Sequence, residues 1–541
     1  MKRGPAAAAV VVITLFGFFQ FPGHTWLLSD TQIYAPILER LWDPSVFDNE
    51  LLVERPHVSF TIYDEIALAL RRITGLGFRE VLAAGQIFFR GLGIWGVFLM
   101  ATAMGLAFWP AALTTAIFAL GAAVVGPTVL LFEYEPVPRG FAVPLLFLAV
   151  GLIGHGRHLP AGIAASFAFL IHPPTVWPFW AVYFVLALWP GKPETMRRHI
   201  YALFPLIAAT LLLFAASHFQ AGVGETQAFF TLLEPLQEKL QRMRSPYVYI
   251  SIWWEVYWKH FLILFAIAAV ALLRIRRFAP PDLQFFLTGL PLTGMLSIPL
   301  SWLLLERVKW ALMPQVQPMR ALLFIVAMSL FASAVAGVKA AEKGRWVEAL
   351  CWFWVAYLIP VNARFDTAPL TPRLVVVAIL GIAASAALWI VRRHATAGAA
   401  AIAAVCAAGF VGFPSWGNVV NYPHLETGEL KQLSEWARAS TPKDAVFLFP
   451  EAGRGLEPGI FRATALRAVY VDWKGGGQVN YLRELGELWW ARWQAVAGFR
   501  AQRAPEYSRM GIDYLVLTRS RLPVLPVFDN GTYRVYAIGQ P

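Results

Sequence analysis

Residues 1–30 read MKRGPAAAAVVVITLFGFFQFPGHTWLLSD. Two cations, Lys2 and Arg3, precede an apolar run from about residue 8 to residue 28, and the run stops just before a carboxylate, Asp30. A bilayer span takes about 20 mostly apolar residues, so this run is long enough to cross. No small-x-small cleavage site follows it; Phe18-Phe19-Gln20-Phe21-Pro22 stands there instead. The start therefore reads as an uncleaved first helix, not a removed signal.

The rest of the 541-residue chain repeats the pattern. Apolar residues make up 58% and charged residues 14%, where a globular chain carries about 25% charged. This excludes a soluble enzyme, a disordered chain and a secreted disulfide scaffold. Cys351 and Cys406 both sit in apolar runs and read as small buried hydrophobes. Thirteen stretches are candidate spans: 8–28, 82–107, 109–131, 141–155, 159–172, 175–190, 200–217, 252–273, 283–304, 320–338, 346–361, 374–391 and 397–413. The pair within 159–190 also reads as one re-entrant unit broken at His172-Pro173-Pro174. The fold expected is an all-α polytopic bundle.

The net charge of +12 would suggest nucleic acid in a soluble protein. Here the basic residues cluster between apolar runs, so the partner is a membrane. Alternate connections carry Lys2/Arg3, Arg157, Lys192/Arg197/Arg198, Arg274/Arg276/Arg277, Lys339/Lys343/Arg345 and Arg392/Arg393. The positive-inside rule makes these cytoplasmic and the N-terminus with them. Thirteen spans then leave 414–541 outside, as a small α/β domain after a transmembrane domain of 1–413. Its expected elements are helix 429–440, strands 445–449 and 467–473, helix 478–496, and strands 513–518 and 533–538. Gly475-Gly476-Gly477 reads as a flexible loop. The 22 Trp read mostly as lipid-facing and interfacial residues.

Charged groups beside a membrane core are costly and mark function by default. Asp30 opens a long outer loop, about 29–80, rich in acids and with stretches suited to interfacial helices. It is placed to act as a general base with a pKa raised by apolar surroundings, or simply to be solvated at the headgroups. Glu133 and Glu135 flank Tyr134 at the outer end of the third span, suited to acid/base work or a divalent cation (Mg or Mn), or to a tight polar turn. His172 and, more weakly, His57 are candidates for proton transfer or phosphate contact, or for capping. Arg320, Arg139 and Arg244 are suited to bidentate hydrogen bonds with phosphate, or to snorkelling. Arg90, inside the second span, is expected to pair with a carboxylate. No HExxH, GxSxG, CxxC or Walker motif is present.

A first span running outward, a loop opening at Asp30, the Glu133-Tyr134-Glu135 turn, about a dozen spans and an outer domain together resemble the GT-C-type integral-membrane glycosyltransferases. Trp436-Ala437-Arg438, Thr441-Pro442-Lys443-Asp444-Ala445, Phe461-Arg462, Arg467 and Asp472-Trp473-Lys474 are similar to the tail of an uncharacterised bacterial family of that type. The resemblance implies a polyprenyl-phosphate-linked sugar donor, a lipid or glycan acceptor, and the bacterial inner membrane. It implies Asp30 as base, Glu133 or Glu135 as second-loop acid and Arg320 as donor-phosphate contact, with the two acidic turns meeting at one outward-facing pocket. Two departures stand out. Tyr134 separates the paired acids, and Trp489-Trp490-Ala491-Arg492 lacks the Asp of an oligosaccharyltransferase signature. The alternatives are a transporter or flippase of a lipid-linked or anionic solute, and a non-catalytic membrane scaffold.

Overall fold

The computed structural model describes residues 3–54, 61–189, 193–220, 230–253, 255–365, 367–420, 422–481, 483–500 and 503–539. The chain is mostly helical and divides into two compact units. The first comprises Met1–His24, Ala83–Ala215 and Tyr247–Asn421; the second comprises Thr25–Leu82, Ala216–Pro246 and Tyr422–Pro541.

A helix overlaps each of the thirteen apolar stretches. Among the described residues, six helices are long and apolar enough to cross a membrane: Phe78–Ala103, Met196–Ala216, Pro281–Arg307, Met313–Glu342, Thr371–Arg393 and Ala395–Trp416. Six further apolar helices are shorter, 10–17 residues. Two of these correct the sequence expectation. The first helix stops at Phe19, short of residue 28, at the Phe21-Pro22-Gly23 turn, where Gly23 has φ +83°. The helix beginning at Phe108 stops at Ala119, not at 131. Gly121 (φ +70°) and Gly126 (φ +81°) are in the left-handed region, which ends a helix readily. The chain folds instead into a short antiparallel hairpin, β1 (Ala123–Val124) and β2 (Val129–Leu130), that leads into Glu133. Twelve helical residues rise only about 18 Å, well short of the hydrocarbon thickness.

Helix Leu323–Glu342 is the axis of the first unit, with every side chain from Leu323 to Ala341 buried. A helix apolar all round belongs inside a bundle. Its Ser329 Oγ donates to Leu264 O at 2.7 Å, a polar tie between helices. Helices Phe78–Ala103 and Pro138–Gly154 cross almost backbone to backbone. A Cβ on Gly151 would lie 2.3 Å from Gly96 O, so only glycine fits there.

The second unit is built on a five-stranded mixed sheet, order β4-β3-β5-β7-β6. β3 (Val446–Leu448) runs parallel to both β4 (Ala468–Val469) and β5 (Tyr514–Leu517), whereas β7 (Arg534–Ala537) is antiparallel to β5 and to β6 (Phe528–Asp529). Alternate residues serve opposite faces. Phe447, Val516 and Val535 pack with Leu430, Leu433, Ile460 and Phe461 of helices Gly428–Ser440 and Glu457–Ala465. Val446, Leu448, Leu515, Leu517 and Tyr536 pack with Leu485, Trp489 and Tyr507 on the other side. The first loop joins both cores, through Leu27 and Ala35 on one face and Leu51 on the other.

Several expectations shift here. Helices Glu457–Ala465 and Ala504–Arg509 and strand β6 were not foreseen, and β4 is shorter than expected. The triple glycine is a packed 3-10 turn (Gly475–Asn480), not a flexible loop: a Cβ on Gly476 would sit 2.4 Å from the Trp489 ring. Trp473, Trp489, Trp490 and Trp493 form an aromatic cluster on the sheet's second face. Cys351 is exposed and Cys406 half-buried, both free thiols.

Candidate active site

In the second unit Asp30 immediately precedes helix Thr31–Trp42. The turn before it is tight: Leu27 has φ +58°, in the left-handed region, and is held at both ends. Leu27 N donates to Thr31 Oγ1 at 2.8 Å, and Gln32 Nε2 donates to Leu27 O at 2.8 Å. Asp30 is thereby presented to Lys474, whose Nζ donates to Asp30 Oδ1 at 2.8 Å and to Ser29 Oγ at 2.9 Å. The side chains are a quarter exposed (Asp30, 25%) and nearly buried (Lys474, 13%), so the pair is partly sheltered but open to a ligand.

The backbone of Lys474 is fixed from two sides. Asp472 Oδ2 accepts from Lys474 N at 3.1 Å, and both Asp472 oxygens accept from Gly475 N at 3.2 Å. Arg244 Nε donates to Trp473 O at 2.8 Å and its Nη2 to Lys474 O at 3.4 Å. Arg244 therefore supports the lysine's main chain. Its guanidinium also lies over the Trp473 ring, at 4.8 Å from the centroid, and that of exposed Arg454 lies at 4.4 Å. Trp489 Nε1 donates to Asp472 O at 2.8 Å, closing the turn from below.

Beneath this turn lies a buried ionic triad. Arg462 Nη1 donates to Asp472 Oδ1 at 2.8 Å and to Glu50 Oε1 at 3.5 Å, and all three side chains are almost fully buried. Glu50 Oε2 also accepts from Val469 N at 2.8 Å. Burial disfavours the charge on Arg462, but Asp472 and Glu50 outweigh it and hold its pKa above the ordinary value. Burial pushes the Glu50 carboxyl up, against the pull of Arg462. Removing one member of such a set strands the others, so the triad fixes the loop, the strand and the turn to one another.

In the first unit Glu133 and Arg139 meet. Arg139 Nε donates to Glu133 Oε1 at 2.7 Å, and Leu130 N donates to the same oxygen at 3.2 Å. Glu133 and Glu135 are both buried. Arg90 donates to three carbonyls, Gly17 O at 2.7 Å, Glu133 O at 2.9 Å and Gly23 O at 3.1 Å. Gln86 Nε2 adds a bond of 2.7 Å to Glu133 O. The acidic turn is thus anchored through its main chain by polar groups of the second span.

His172 separates helices His158–Ile171 and Pro173–Leu188, with its Nδ1 2.7 Å from Thr175 Oγ1. Arg320 lies in a short 3-10 segment, Pro318–Leu322, where its Nε is buried without a hydrogen-bond partner. His57 lies outside the described residues. Asp30 and Glu133 each pair with a side-chain cation, Lys474 and Arg139. Sequence reasoning about the site missed Lys474, Arg454 and the Arg462 triad. The signals were the Phe461-Arg462 and Asp472-Trp473-Lys474 strings, without their partners, because pairing across hundreds of residues leaves no local pattern.

Residues 428–496, which contain Arg462 and Asp472-Trp473-Lys474, match DUF6798, a domain of unknown function. No curated protein matches the sequence. Among solved structures the chain is similar to the cryo-EM structure of the arabinofuranosyltransferase AftD from Mycobacteria, at 14% identity and a TM-score of 0.48, covering 100% of this chain and 40% of that one. A mutant form of AftD gives 14% identity and a TM-score of 0.46, covering 100% and 42%. The crystal structure of ArnT from Cupriavidus metallidurans in the apo state gives 13% identity and a TM-score of 0.44, covering 99% of this chain and 98% of that one. This chain spans about two fifths of the length of AftD.

Proposed function

We propose that the protein is a membrane glycosyltransferase that moves a sugar from a polyprenyl-phosphate carrier to an acceptor hydroxyl at the outer face of the bacterial cytoplasmic membrane. The observation that carries this reading is the Asp30–Lys474 pair, a carboxylate and an ammonium on a rigid turn with a stacked arginine, Arg454, beside it. A carboxylate is needed to accept the acceptor's proton. Cations are needed to neutralise the departing phosphate.

In the proposed step Asp30 takes the proton of the acceptor hydroxyl. The acceptor oxygen forms a bond to the anomeric carbon, and the bond from that carbon to the phosphate oxygen breaks with its electron pair remaining on the phosphate. Lys474 and Arg454 balance the charge that develops there. A single displacement inverts the anomeric centre. The proposed donor-phosphate contact of the first unit is Arg320, whose Nε is buried and unpartnered. Glu133 and Glu135 are the proposed second-loop acids.

The full-length protein in nanodiscs, supplied with polyprenyl-phosphate sugars and glycan or lipid acceptors, should release polyprenyl phosphate and form a glycosylated product. Counterflow of solute without product would favour the transporter, and neither would favour the scaffold. A double Glu133/Glu135→Gln variant with full activity would remove the second loop from the proposal.

A further inference from the structure

We propose that His158, His199 and Asp282 form a binding site for a divalent transition-metal ion of the zinc class, in the first unit and apart from the Glu133–Arg139 turn. Their ligating atoms all lie within 4.8 Å of one another. Asp282 Oδ2 is 3.0 Å from His158 Nε2 and 3.5 Å from His199 Nε2. A tetrahedral ion with bonds of about 2.0–2.1 Å sets its ligand atoms roughly 3.3 Å apart, so both separations match an ion's coordination edges.

Two further observations point to a ligand. His199 is buried, only 4% exposed, and its Nε2 has no hydrogen-bond partner although it faces the carboxylate. An imidazole nitrogen hidden from water and unsatisfied is costly unless something coordinates it. His158 already has an outer partner, with its Nδ1 3.2 Å from Tyr183 OH. Metal-bound histidines characteristically use the second ring nitrogen in this way, which fixes the tautomer and aims the first nitrogen at the ion. The rings of His158 and His199 lie with centroids 4.6 Å apart, so neither can turn aside easily.

The ligands come from three helix ends. His158 opens helix His158–Ile171, His199 lies near the end of Pro193–Tyr201, and Asp282 is in the first turn of Pro281–Ser301. Tyr183, the outer partner, belongs to Pro173–Leu188. The adjoining connections are those carrying Arg157, Arg197/Arg198 and Arg276/Arg277. Helix Pro138–Gly154 separates this end of the unit from Arg139 by about 25 Å of helical rise. The ion's role is therefore to clasp the basic-loop ends of four helices. Two imidazoles and one carboxylate leave a fourth position for water and suit zinc better than magnesium.

The test uses the full chain, purified in detergent with a tag free of histidine, stripped with chelator and dialysed against Zn²⁺ or Co²⁺. One zinc per chain should be retained, the Co²⁺ form should show the intense visible bands of a tetrahedral site, and zinc should raise the thermal midpoint. His199→Ala and Asp282→Asn should abolish retention. Tyr183→Phe, which keeps the packing, should weaken zinc binding about 10-fold. Wild-type protein that retains no zinc after dialysis would overturn the proposal. So would zinc retained equally by His199→Ala and Asp282→Asn.

Discussion

Lys474 Nζ donates to Asp30 Oδ1 at 2.8 Å, joining residues 444 positions apart in the sequence. Asp30 follows the first apolar run, and Lys474 follows β4, a strand of only two residues. The proposed base and its cation are thus delivered by two independent supports, each with its own clamp. For Asp30 the clamp is the Leu27 turn; for Lys474 it is Asp472 and Arg244.

Asp30→Asn keeps the hydrogen bond to Lys474 but cannot accept a proton. Transfer should fall by about 10²–10⁴-fold, the usual worth of a general base, with the thermal midpoint little changed. Lys474→Met should also lower turnover, while Lys474→Arg should retain a measurable part of it. Full product formation by Asp30→Asn would remove the base assignment.

Arg462→Met leaves two buried carboxylates, Glu50 and Asp472, without their cation. The expected cost is about 3–5 kcal/mol of stability. It should be read as loss of monodisperse protein and a lower thermal midpoint in detergent. A double Glu50→Gln/Arg462→Met variant should recover part of the loss.

Asp64, in the first turn of helix Tyr63–Thr74, has its carboxyl pushed up to about 8, by burial first and then by the neighbouring Glu65 charge. The folded state therefore holds a proton that the unfolded chain, titrating near 3.8, gives up. This contribution is fully present below about pH 4 and is lost as pH rises toward 8. Asp64→Asn should flatten that decline and raise the thermal midpoint above pH 7. Parallel melting curves of wild type and variant across pH 5–9 check this.

Glu451 behaves in the opposite sense. Burial raises its pKa, but hydrogen bonds from Ser520, Arg519 and Thr518 win and lower it to about 2. Its carboxylate receives the main-chain N–H groups of Thr518 (2.7 Å), Arg519 (2.7 Å) and Ser520 (2.9 Å). Its contribution is present above about pH 4.5 and lost as pH falls toward 2. Glu451→Gln should cost about 1 kcal/mol at neutral pH, toward the low end because the site is partly exposed. The loss should vanish in acid melts.

Much of the bundle was legible because apolar runs announce themselves without reference to partners. The sheet strands were legible for a similar reason: Val446-Phe447-Leu448 and Tyr514–Leu517 are short β-branched and aromatic runs bounded by turns. Helix ends inside the bundle were not. Hydropathy alone carried the third stretch to residue 131, whereas backbone conformation at Gly121 ended its helix at Ala119. Helix Glu457–Ala465 was hidden by Pro458 and Gly459, residues that read as loop but sit harmlessly in a first turn. In the candidate site, Asp30 stood out as a charge at the end of an apolar run. Lys474, Arg462 and Glu50 did not, because their meaning lies in contacts across some 400 residues.

The second unit is threaded from three stretches of chain, the last of which begins at Tyr422. During synthesis the earlier two must wait, with Glu50 lacking Arg462 and Asp30 lacking Lys474, until the stretch that carries residues 462 and 474 has been made. A premature stop anywhere before residue 474 consequently removes more than a tail. It leaves the proposed base without its counter-ion, so truncated products should be recognised by quality-control proteases as defective from their first loop onward.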